Sequence, residues 1–495
     1  MGKKYLYGAS IQGIQGFIMN TNDLKPIVGA SELVDRICTS MFNEFTENAK
    51  GETEDIVRAA GNIKVIFHTK EDCDNAFLNF PKKVMTAAPG ITISQAVAIY
   101  EDDKDYGSKV DVLEKRLRDE RNKPVRPIFP GVIGMARAPK TGEPAVCIYG
   151  GEYVDYATYR KLEVLKSGSG FKQDYSKLEA KAFGSKTSDM ILDNDLLAGD
   201  LGWLAVVHAD GNGFGKIVQK LGKNKNLFKE LSKKIDDCTQ GAFRDAFKKV
   251  CAAERPSFPI RPLVLSGDDV TFICRADIAV PFVEAFLREF ESQTKRELSG
   301  LSMNMTGEDC KLLNQGLTAC AGIAFMKPSY PFYFASNLAE SLCHAAKIDA
   351  KKVDPAPSCL MFYKIQDSII SDWKVMAARE LNYAEGSFLF GPYYLEKPVK
   401  EVHKERWSIG ELNDMACVVA EKNNVKTSLR RWVSAAYENA HKANKIRDRF
   451  GLLDPVEKVS FAKMTDKTSE NTCPAYDILT MVVMSKKKND EKNNI

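Results

Sequence analysis

The most informative part of this sequence is a pair of apolar runs joined by a short acidic turn, Pro262-Leu263-Val264-Leu265-Ser266-Gly267-Asp268-Asp269-Val270-Thr271-Phe272-Ile273. Branched and aromatic residues on both sides of a glycine-containing turn are typical of a β-hairpin. We therefore predict two antiparallel strands hinged at Gly267, with Asp268 and Asp269 at the tip. Because Gly-Asp-Asp also occurs in ordinary exposed turns, its meaning depends on the surrounding fold.

A second strand, which ends in an acidic and glycine-rich bend, lies upstream of this hairpin. It is the apolar run Trp203-Leu204-Ala205-Val206-Val207-His208, and it leads into Ala209-Asp210-Gly211-Asn212-Gly213-Phe214-Gly215-Lys216. Apolar periodicity then predicts helices at about 228–253, 279–298 and 331–347, and strands at 317–326 and 359–363. This order is the ferredoxin-like βαββαβ arrangement with one trailing strand.

The first hundred residues repeat the same pattern. Residues 60–67 align with 266–273, and residues 91–98 resemble 317–324. Each half also opens with a strand that runs into a glycine-rich bend. Two copies of one unit explain this similarity, although independent strand patterning would also produce it.

The two copies differ at the positions where we expect chemistry. With Gly61 aligned to Gly267, Asn62 and Ile63 stand where the second copy has its two hairpin aspartates. At the bend, Gln12 takes the place of Asp210. We therefore predict that the second copy is active and that the first copy is degenerate.

We predict an α+β protein with several domains. These are a degenerate ferredoxin-like domain at 1–100, a connector with helical and inserted segments at 101–200, an active domain with the Ser-Gly-Asp-Asp hairpin at 201–366, a C-terminal helical domain at 367–484 and a disordered tail at 485–495. Ala145 to Tyr153 is expected to form a hairpin arm, and Ser31 to cap a helix that extends to Phe45.

Composition excludes several classes of protein. The 495 residues carry 70 basic and 66 acidic side chains, which leaves a net charge of only +4. A nucleic-acid coat or a polybasic membrane binder needs more positive charge. No apolar run approaches the roughly 20 residues of a membrane span, and the amino terminus has no signal core, so we expect a cytoplasmic protein. The 12 cysteines lack metal-site spacing and are expected to be reduced.

The acidic residues predict a metal-dependent phosphoryl-transfer site. The first strand and the central hairpin are neighbours in a βαββαβ sheet, so Asp210 should lie within about 10 Å of Asp268 and Asp269, as two-metal catalysis requires. Three clustered carboxylates repel one another unless a cation lies among them. Mg²⁺ or Mn²⁺, together with the phosphates of a nucleoside triphosphate, fits such a site.

Other residues are candidates for binding the nucleotide. Bare backbone N–H groups before a helix can cradle phosphates, and lysines can neutralise their charge. The candidates are Gly211, Asn212, Gly213, Phe214, Gly215, Lys216, Ser266, Gly267 and Lys347. The two lysines equally fit solvated helix positions, and His208, Trp203 and Phe214 fit the core.

Residues 203–363 resemble the second palm domain of the large polymerase-like subunit of type III CRISPR effector complexes, and residues 5–100 resemble the first, inactive palm of that family. The resemblance implies the fold of polymerase palms and class III nucleotide cyclases, and synthesis of cyclic oligoadenylates from ATP in antiviral defence. It implies that Asp210, Asp268 and Asp269 bind the metal ions, that Ser266 and Gly267 contact the nucleotide, and that Lys347 contacts the triphosphate.

This chain departs from the family pattern in three ways. The hairpin motif begins with Ser266 where the family usually has glycine, and we expect neither the N-terminal HD nuclease nor the zinc-binding insert. CRISPR RNA effector subunits, target RNA and a second copy of the chain are therefore open as partners. Two alternatives also stay open, a catalytically silent scaffold or RNA-binding subunit and a stand-alone nucleotide cyclase. The sequence fixes neither the base nor the product's linkage and ring size.

Overall fold

The structure is a computed structural model that describes residues 2–59, 61–123, 132, 134–165, 181–184, 191, 193–221, 224–251, 258–302, 313–366, 373–398, 400–453 and 456–485. The predicted disordered tail, apart from Ser485, lies outside the described residues, as does much of the connector. Among the residues that are described, no helix is both long enough and apolar enough to cross a bilayer.

The first module is a four-stranded sheet covered by helices. Its elements are β1 (Lys4–Gln12), α1 (Ile14–Ile18), α2 (Leu24–Cys38), α3 (Ser40–Glu47), β2 (Thr53–Ala59), β3 (Asn62–Phe67), α4 (Lys70–Ala87) and β4 (Thr92–Tyr100). The strand order is β2-β3-β1-β4, and each pair is antiparallel. This is the βαββαβ topology predicted from the sequence.

The connector contributes to the first module. Its described elements are α5 (Tyr106–Arg121), β5 (Ala145–Tyr149), β6 (Glu152–Asp155), α6 (Tyr156–Glu163) and α7 (Asn194–Ala198). Leu113 and Leu117 on α5 are buried with Leu6 and Ile66 of the first sheet. A compact domain that ends at residue 100 would expose that sheet face, so the first module continues through α5. Strands β5 and β6 form the predicted hairpin.

The second module repeats this topology with longer helices. It contains β7 (Leu204–Asn212), α8 (Phe214–Leu221), α9 (Lys225–Cys251), β8 (Ile260–Ser266), β9 (Asp269–Arg275), α10 (Ala276–Ser302), β10 (Thr318–Met326), α11 (Phe332–Ala350) and β11 (Cys359–Lys364). The order β10-β7-β9-β8 matches that of the first sheet, and β11 lies parallel to β10.

The C-terminal region is mostly helical, as predicted. Its elements are α12 (Trp373–Leu381), β12 (Asn382–Tyr383), β13 (Gly386–Ser387), β14 (Tyr393–Tyr394), α13 (Ile409–Glu421), α14 (Asn423–Glu438), α15 (Ala440–Leu453), α16 (Lys458–Thr465) and α17 (Ala475–Met484). Strand β14 pairs with β11, so this region also supplies an edge strand to the second sheet. The predicted boundary at residue 366 therefore cuts through one sheet.

A close approach between α11 and the second sheet positions one end of that helix over the acidic residues. Gly322 on β10 makes it possible, because a Cβ there would lie 2.0 Å from the carbonyl oxygen of Ala339. Gly322 pairs with His208 across the ladder, and paired residues share one face of a sheet. Helix α11 therefore covers the face that carries His208 and, two residues on, Asp210.

The two modules are in direct contact. Ser31 lies inside α2 and donates a hydrogen bond to the carbonyl oxygen of Leu263 on β8, so the predicted helix cap is wrong. Its position in the middle of the helix, together with this contact, makes Ser31 an interface residue. An ion pair of 2.7 Å between Lys225 and Glu54 also joins the modules.

Candidate active site

The acidic hairpin has a two-residue turn. Ser266 pairs with Asp269, which leaves Gly267 and Asp268 as the two turn residues. Gly267 has φ +64°, a conformation that glycine adopts without steric cost. Glycine at the first turn position is the pattern of a type II′ hairpin, whose twist matches that of the flanking strands. The local sequence therefore fixes the tip, as predicted.

Asp210 lies directly opposite Asp269. The two residues are partners in the antiparallel ladder of β7 and β9, and the Gly211 N–H donates to the carbonyl oxygen of Asp268 at 3.2 Å. This bond identifies Asp210 and Asp269 as a non-hydrogen-bonded pair, for which Cα atoms lie about 4.5 Å apart with side chains on one face. The expectation that the strand end and the hairpin come together is confirmed for this pair.

Asp268 packs against the backbone of Gly211. A Cβ atom on Gly211 would lie 2.8 Å from the Cβ and 2.9 Å from Oδ2 of Asp268. Any side chain at position 211 would therefore displace the Asp268 carboxyl group. Gly211 was predicted to offer its N–H to a phosphate, but that N–H is bonded to Asp268. Its role in the structure is to make room for the second aspartate.

The negative charge of Asp210 acts on both hairpin carboxylates. Burial and the charge of Asp210 raise the pKa of Asp268 to about 7, with a further contribution from Asp269. Burial, Asp210 and Glu340 likewise raise the pKa of Asp269 to about 7. The positive charge of Lys347 opposes both increases in pKa. Such a site favours a cation, because each added positive charge relieves the repulsion.

Lys347 reaches this site from α11. Its Nζ lies 2.5 Å from Oδ2 of Asp210. The lysine side chain is 15% exposed and the aspartate side chain 38%, so the pair lies at the rim of the site. Lys347, predicted to contact a phosphate, therefore contacts a predicted metal ligand instead.

His208 lies beneath the carboxylates. It is buried, its Nδ1 is 3.1 Å from Oγ1 of Thr271, and the same atom is 3.5 Å from Oδ1 of Asp269. Burial lowers its pKa, which favours the neutral imidazole. The predicted core role for His208 agrees with its burial. The structure adds that its imidazole lies beside the Asp269 carboxylate.

The donor set fits a divalent cation in part. Oδ1 of Asp269 is buried without a hydrogen-bond partner, although the side chain as a whole is 41% exposed. A buried carboxylate oxygen without a donor suits a metal ion. Among the described residues, however, no group of three or more His, Cys, Asp or Glu side chains is arranged to hold a metal ion. The arrangement fits Mg²⁺ held by one or two carboxylates and by substrate phosphates.

The glycine-rich bend contains both buried and open positions. Asn212 is buried, and its Nδ2 lies 3.1 Å from Oγ1 of Thr318, so its side chain points into the fold. Phe214 is half-buried against the core. Gly213, with φ +82°, and Gly215 have open space where a side chain would lie. The side chain of Lys216 lies outside the described part of the chain.

The hairpin borders the first module at one cavity. This cavity of about 130 Å³ is lined by Ser266 and Asp269 of the hairpin and by Asp35 and Arg58 of the first module. The hairpin tip therefore lies at the boundary between the modules, on the side where α2 packs against β8.

Sequence reasoning missed two residues that hold the hairpin. Asp236 and Thr239 on α9 bond to the backbone of Gly267. They lie 31 and 28 residues before the glycine they contact, so no local motif joins them. The sequence places a threonine and a carboxylate three residues apart near the apolar face of a long amphipathic helix, but the burial of Thr239 is evident only in the folded protein.

The equivalent hairpin of the first module corrects the alignment made from the sequence. Ser10 pairs with Asn62, and the Ile11 N–H donates to the carbonyl oxygen of Gly61 at 2.7 Å. These are the counterparts of the Asp210–Asp269 pair and its closing bond. Ser10, and not Gln12, therefore stands where the second module has Asp210. Asn62 corresponds to Asp269, one residue further along than predicted, because glycine occupies different positions in the two turns.

Residues 203–354 match the family model for the Cas10/Cmr2 second palm domain. No curated protein matches the sequence. Solved structures of a Csm1-Csm4 cassette match with 12% identity and a TM-score of 0.54 in complex with pppApA, and with 13% identity and a TM-score of 0.53 in complex with AMPPNP. These matches cover 98% and 97% of this chain, and 69% of the matched chain in both.

A third match is the Csm1-Csm4 subcomplex of the type III-A CRISPR-Csm interference complex, with 12% identity and a TM-score of 0.53 over 97% of this chain and 70% of the other. At such identities the similarity establishes a shared fold. The family model covers the strands and the hairpin that carry all three aspartates. The resemblance inferred from the sequence is confirmed: residues 203–354 match the second palm domain of the Cas10/Cmr2 family, and the fold of the chain is similar to that of the Csm1-Csm4 structures.

Proposed function

We propose that this protein is a metal-dependent nucleotidyltransferase that joins ATP molecules into linear or cyclic oligoadenylates in type III CRISPR-like defence. The observation that carries the proposal is the pairing of Asp210 with Asp269 beside Asp268, with two carboxyl pKa values raised to about 7. A scaffold has no need to assemble mutually repelling carboxylates on a second-palm hairpin.

The similar structures support the choice of nucleotide. They include a Csm1-Csm4 cassette in complex with one ATP, with pppApA, with cA3 and with cA4. These ligands are ATP and linear or cyclic adenylate oligomers. ATP is therefore the substrate that we propose for this chain.

The reaction is an in-line phosphoryl transfer. The 3′-hydroxyl oxygen of one nucleotide bonds to the α-phosphorus of a second, the bond to the β-phosphate oxygen breaks, and pyrophosphate leaves while the hydroxyl proton passes to solvent. Bound Mg²⁺ or Mn²⁺ would activate the hydroxyl and neutralise the leaving group. Asp210, Asp268 and Asp269 would hold the ions.

Five of the remaining candidate residues assist nucleotide binding. Lys347 exchanges its contact with Asp210 for the triphosphate, and Gly213 and Gly215 give the phosphates access to the start of α8. Ser266 and Gly267 approach the nucleotide from the hairpin side.

We also propose an assignment of the other domains and of the partners. Residues from the amino terminus through α5 form a degenerate first palm, and the region after β11 corresponds to the C-terminal helical domain of the family. The matched cassettes pair Csm1 with Csm4, so a CRISPR effector subunit and target RNA are the proposed partners. A cytoplasmic location follows from that assignment.

The proposal is tested with purified protein, labelled ATP and Mn²⁺ or Mg²⁺, with products separated by chromatography and identified by mass. The wild type is expected to release pyrophosphate and form adenylate oligomers. The double variant Asp268→Ala with Asp269→Ala is expected to form none. The matched control Asp102→Ala with Asp103→Ala removes two adjacent exposed aspartates and should keep full activity.

Three results would contradict the proposal. Product formation that persists in the double variant would place the chemistry elsewhere. ATP-induced thermal stabilisation without pyrophosphate release would identify a binding subunit. A product with the mass of a cyclic mononucleotide would identify a nucleotide cyclase.

A further inference from the structure

The turn glycine of the acidic hairpin is bonded on both sides to a single helix. The Gly267 N–H donates to Oδ1 of Asp236 at 3.0 Å, and Oγ1 of Thr239 donates to the Gly267 carbonyl oxygen at 2.5 Å. Asp236 and Thr239 are three residues apart on α9, so both face the hairpin from one side of the helix. Both backbone hydrogen-bonding groups of Gly267, the first residue of the turn, are therefore bonded to side chains of α9.

These two side chains are well suited to hold the turn still. Thr239 is fully buried, and a β-branched residue in a helix has one or two preferred rotamers. Asp236 is half-buried, and burial raises its pKa, whereas the hydrogen bond from Gly267 and the positive charge of Lys181 oppose that increase. Lys181 in turn pairs with Asp35 of α2 at 2.9 Å. The carboxylate therefore has a fixed electrostatic environment at the boundary between the modules.

We propose that Asp236 and Thr239 are positioning residues that clamp the Gly267 backbone and thereby orient the Asp268 and Asp269 carboxylates. This inference deepens the proposed nucleotidyltransferase function and rests on it. Glycine has the widest backbone freedom of any residue, and rotation about Gly267 moves the aspartate that follows it. Supporting residues that lock an active-site geometry to within a fraction of an ångström preserve catalysis, whereas a displacement of about 1 Å can cost about 10²-fold in rate.

Four variants and a control test the clamp. Asp236→Ala removes the acceptor and Thr239→Val removes the donor at constant shape. Asp236→Asn and Thr239→Ser keep those hydrogen-bonding atoms. Asp237→Ala, which removes an exposed neighbouring carboxylate on the same helix, is the control. We expect Asp236→Ala and Thr239→Val to lower kcat about 10- to 100-fold with KM for ATP changed less than about threefold, and the other variants to retain kcat within about threefold.

Two measurements separate positioning from a general loss of structure. Hydrogen exchange at the amides of residues 264–270 should accelerate in Asp236→Ala and Thr239→Val, with Tm within a few degrees of wild type, and should stay unchanged in Asp237→Ala. Affinity for Mn²⁺ in the presence of ATP, followed by electron paramagnetic resonance, should fall in the same two variants. Equal kcat in Thr239→Val and Thr239→Ser, or unchanged exchange in all variants, would overturn the clamp.

The clamp and the proposed function fail in different ways. A wild type that never forms product from ATP contradicts the function, and amide exchange at the hairpin still decides whether the clamp exists. An active wild type whose Asp236→Ala and Thr239→Val variants keep full kcat contradicts the clamp alone.

Discussion

The two hairpins of this protein share a backbone and differ in what that backbone carries. In both modules the first strand pairs with the central hairpin, and one hydrogen bond closes the ladder, from Ile11 to Gly61 in the first module and from Gly211 to Asp268 in the second. The facing pair is Ser10 with Asn62 in one and Asp210 with Asp269 in the other. One topology therefore supports a neutral pair that needs no counter-ion and an acidic pair that does.

Beside each facing pair, one neighbouring position holds a large residue and the other a glycine, and the two modules place the glycine on opposite strands. In the first module Ile11 is large and Gly61 small, and a Cβ on Gly61 would lie 2.5 Å from Cδ1 of Ile14. In the second module Gly211 is small and Asp268 fills the space above it. An acidic turn residue is thus accommodated only where its neighbour on the first strand is glycine. Converting one hairpin into the other needs changes on both strands.

The largest effect should come from removing the charge of the facing pair. Asp269→Asn keeps the shape but removes a proposed metal ligand, and we expect product formation from ATP to fall at least about 10³-fold. Asn62→Asp, at the equivalent position of the first module, should neither raise activity nor replace Asp269 in a double variant, because Ser10 faces it in place of an aspartate. Rates measured for both single variants and the double variant check this. Activity regained in the double variant would mean that the modules are interchangeable.

A smaller loss is expected from closing the space above Gly211. Gly211→Ala puts a methyl group against Asp268 and should lower kcat about 10- to 100-fold. Gly16→Ala is the control and should retain kcat, because Gly16 lies in α1 of the first module and nothing lies within 4 Å of a Cβ placed there. Ile11→Ala, at the equivalent position of the first module, should instead lower the free energy of unfolding by about 2–5 kcal/mol and leave kcat of the folded protein unchanged. Unchanged kcat in Gly211→Ala would show that the Asp268 carboxylate needs no fixed position.

Lys347 should affect the pH dependence more than the maximal rate. Its positive charge lowers the pKa of both hairpin aspartates, so Lys347→Met should raise both pKa values and move the acid limb of the rate profile to higher pH. At pH 7 we expect a loss of about tenfold, because a smaller fraction of the carboxylates is ionised. Lys347→Arg keeps the charge and should keep the wild-type profile. Superimposable pH–rate profiles of Lys347→Met and the wild type would contradict this electrostatic role.

The smallest effect should be on stability without divalent metal. The folded-state pKa of about 7 for Asp269 lies above its ordinary value of 3.8, so the folded protein holds more protons than the unfolded chain between those values. Stability therefore falls as pH rises from about 4 to about 7. Asp269→Asn removes this penalty, and its Tm in EDTA at pH 8 should exceed that of wild type by on the order of 1–2 °C. Asn62→Ala, in the neutral pair, should show no such pH-dependent difference from wild type.

The sequence was sufficient for the hairpin and for the order of the elements. Two apolar runs on either side of Gly267 predict a β-hairpin. The spacing of the later strands and helices predicts the βαββαβ order. The same reasoning aligned the first hairpin one residue out of register, because Gly61 and Gly267 share a residue type but occupy different turn positions. It also failed to connect Asp236 and Thr239 with the hairpin, since contacts between a helix and a distant turn leave no local pattern.

The residue types alone established that one half of this protein carries aspartates where the other has neutral side chains, because acid content and strand patterning are properties of the chain. Tertiary structure alone decided which of those residues meet. The hydrogen-bond ladder fixes the register, and a shift of one residue turns every side chain to the opposite face of the sheet. That is why the partner of Asp269, the open space provided by Gly211 and the pairing of Lys347 with Asp210 became evident only in the folded protein.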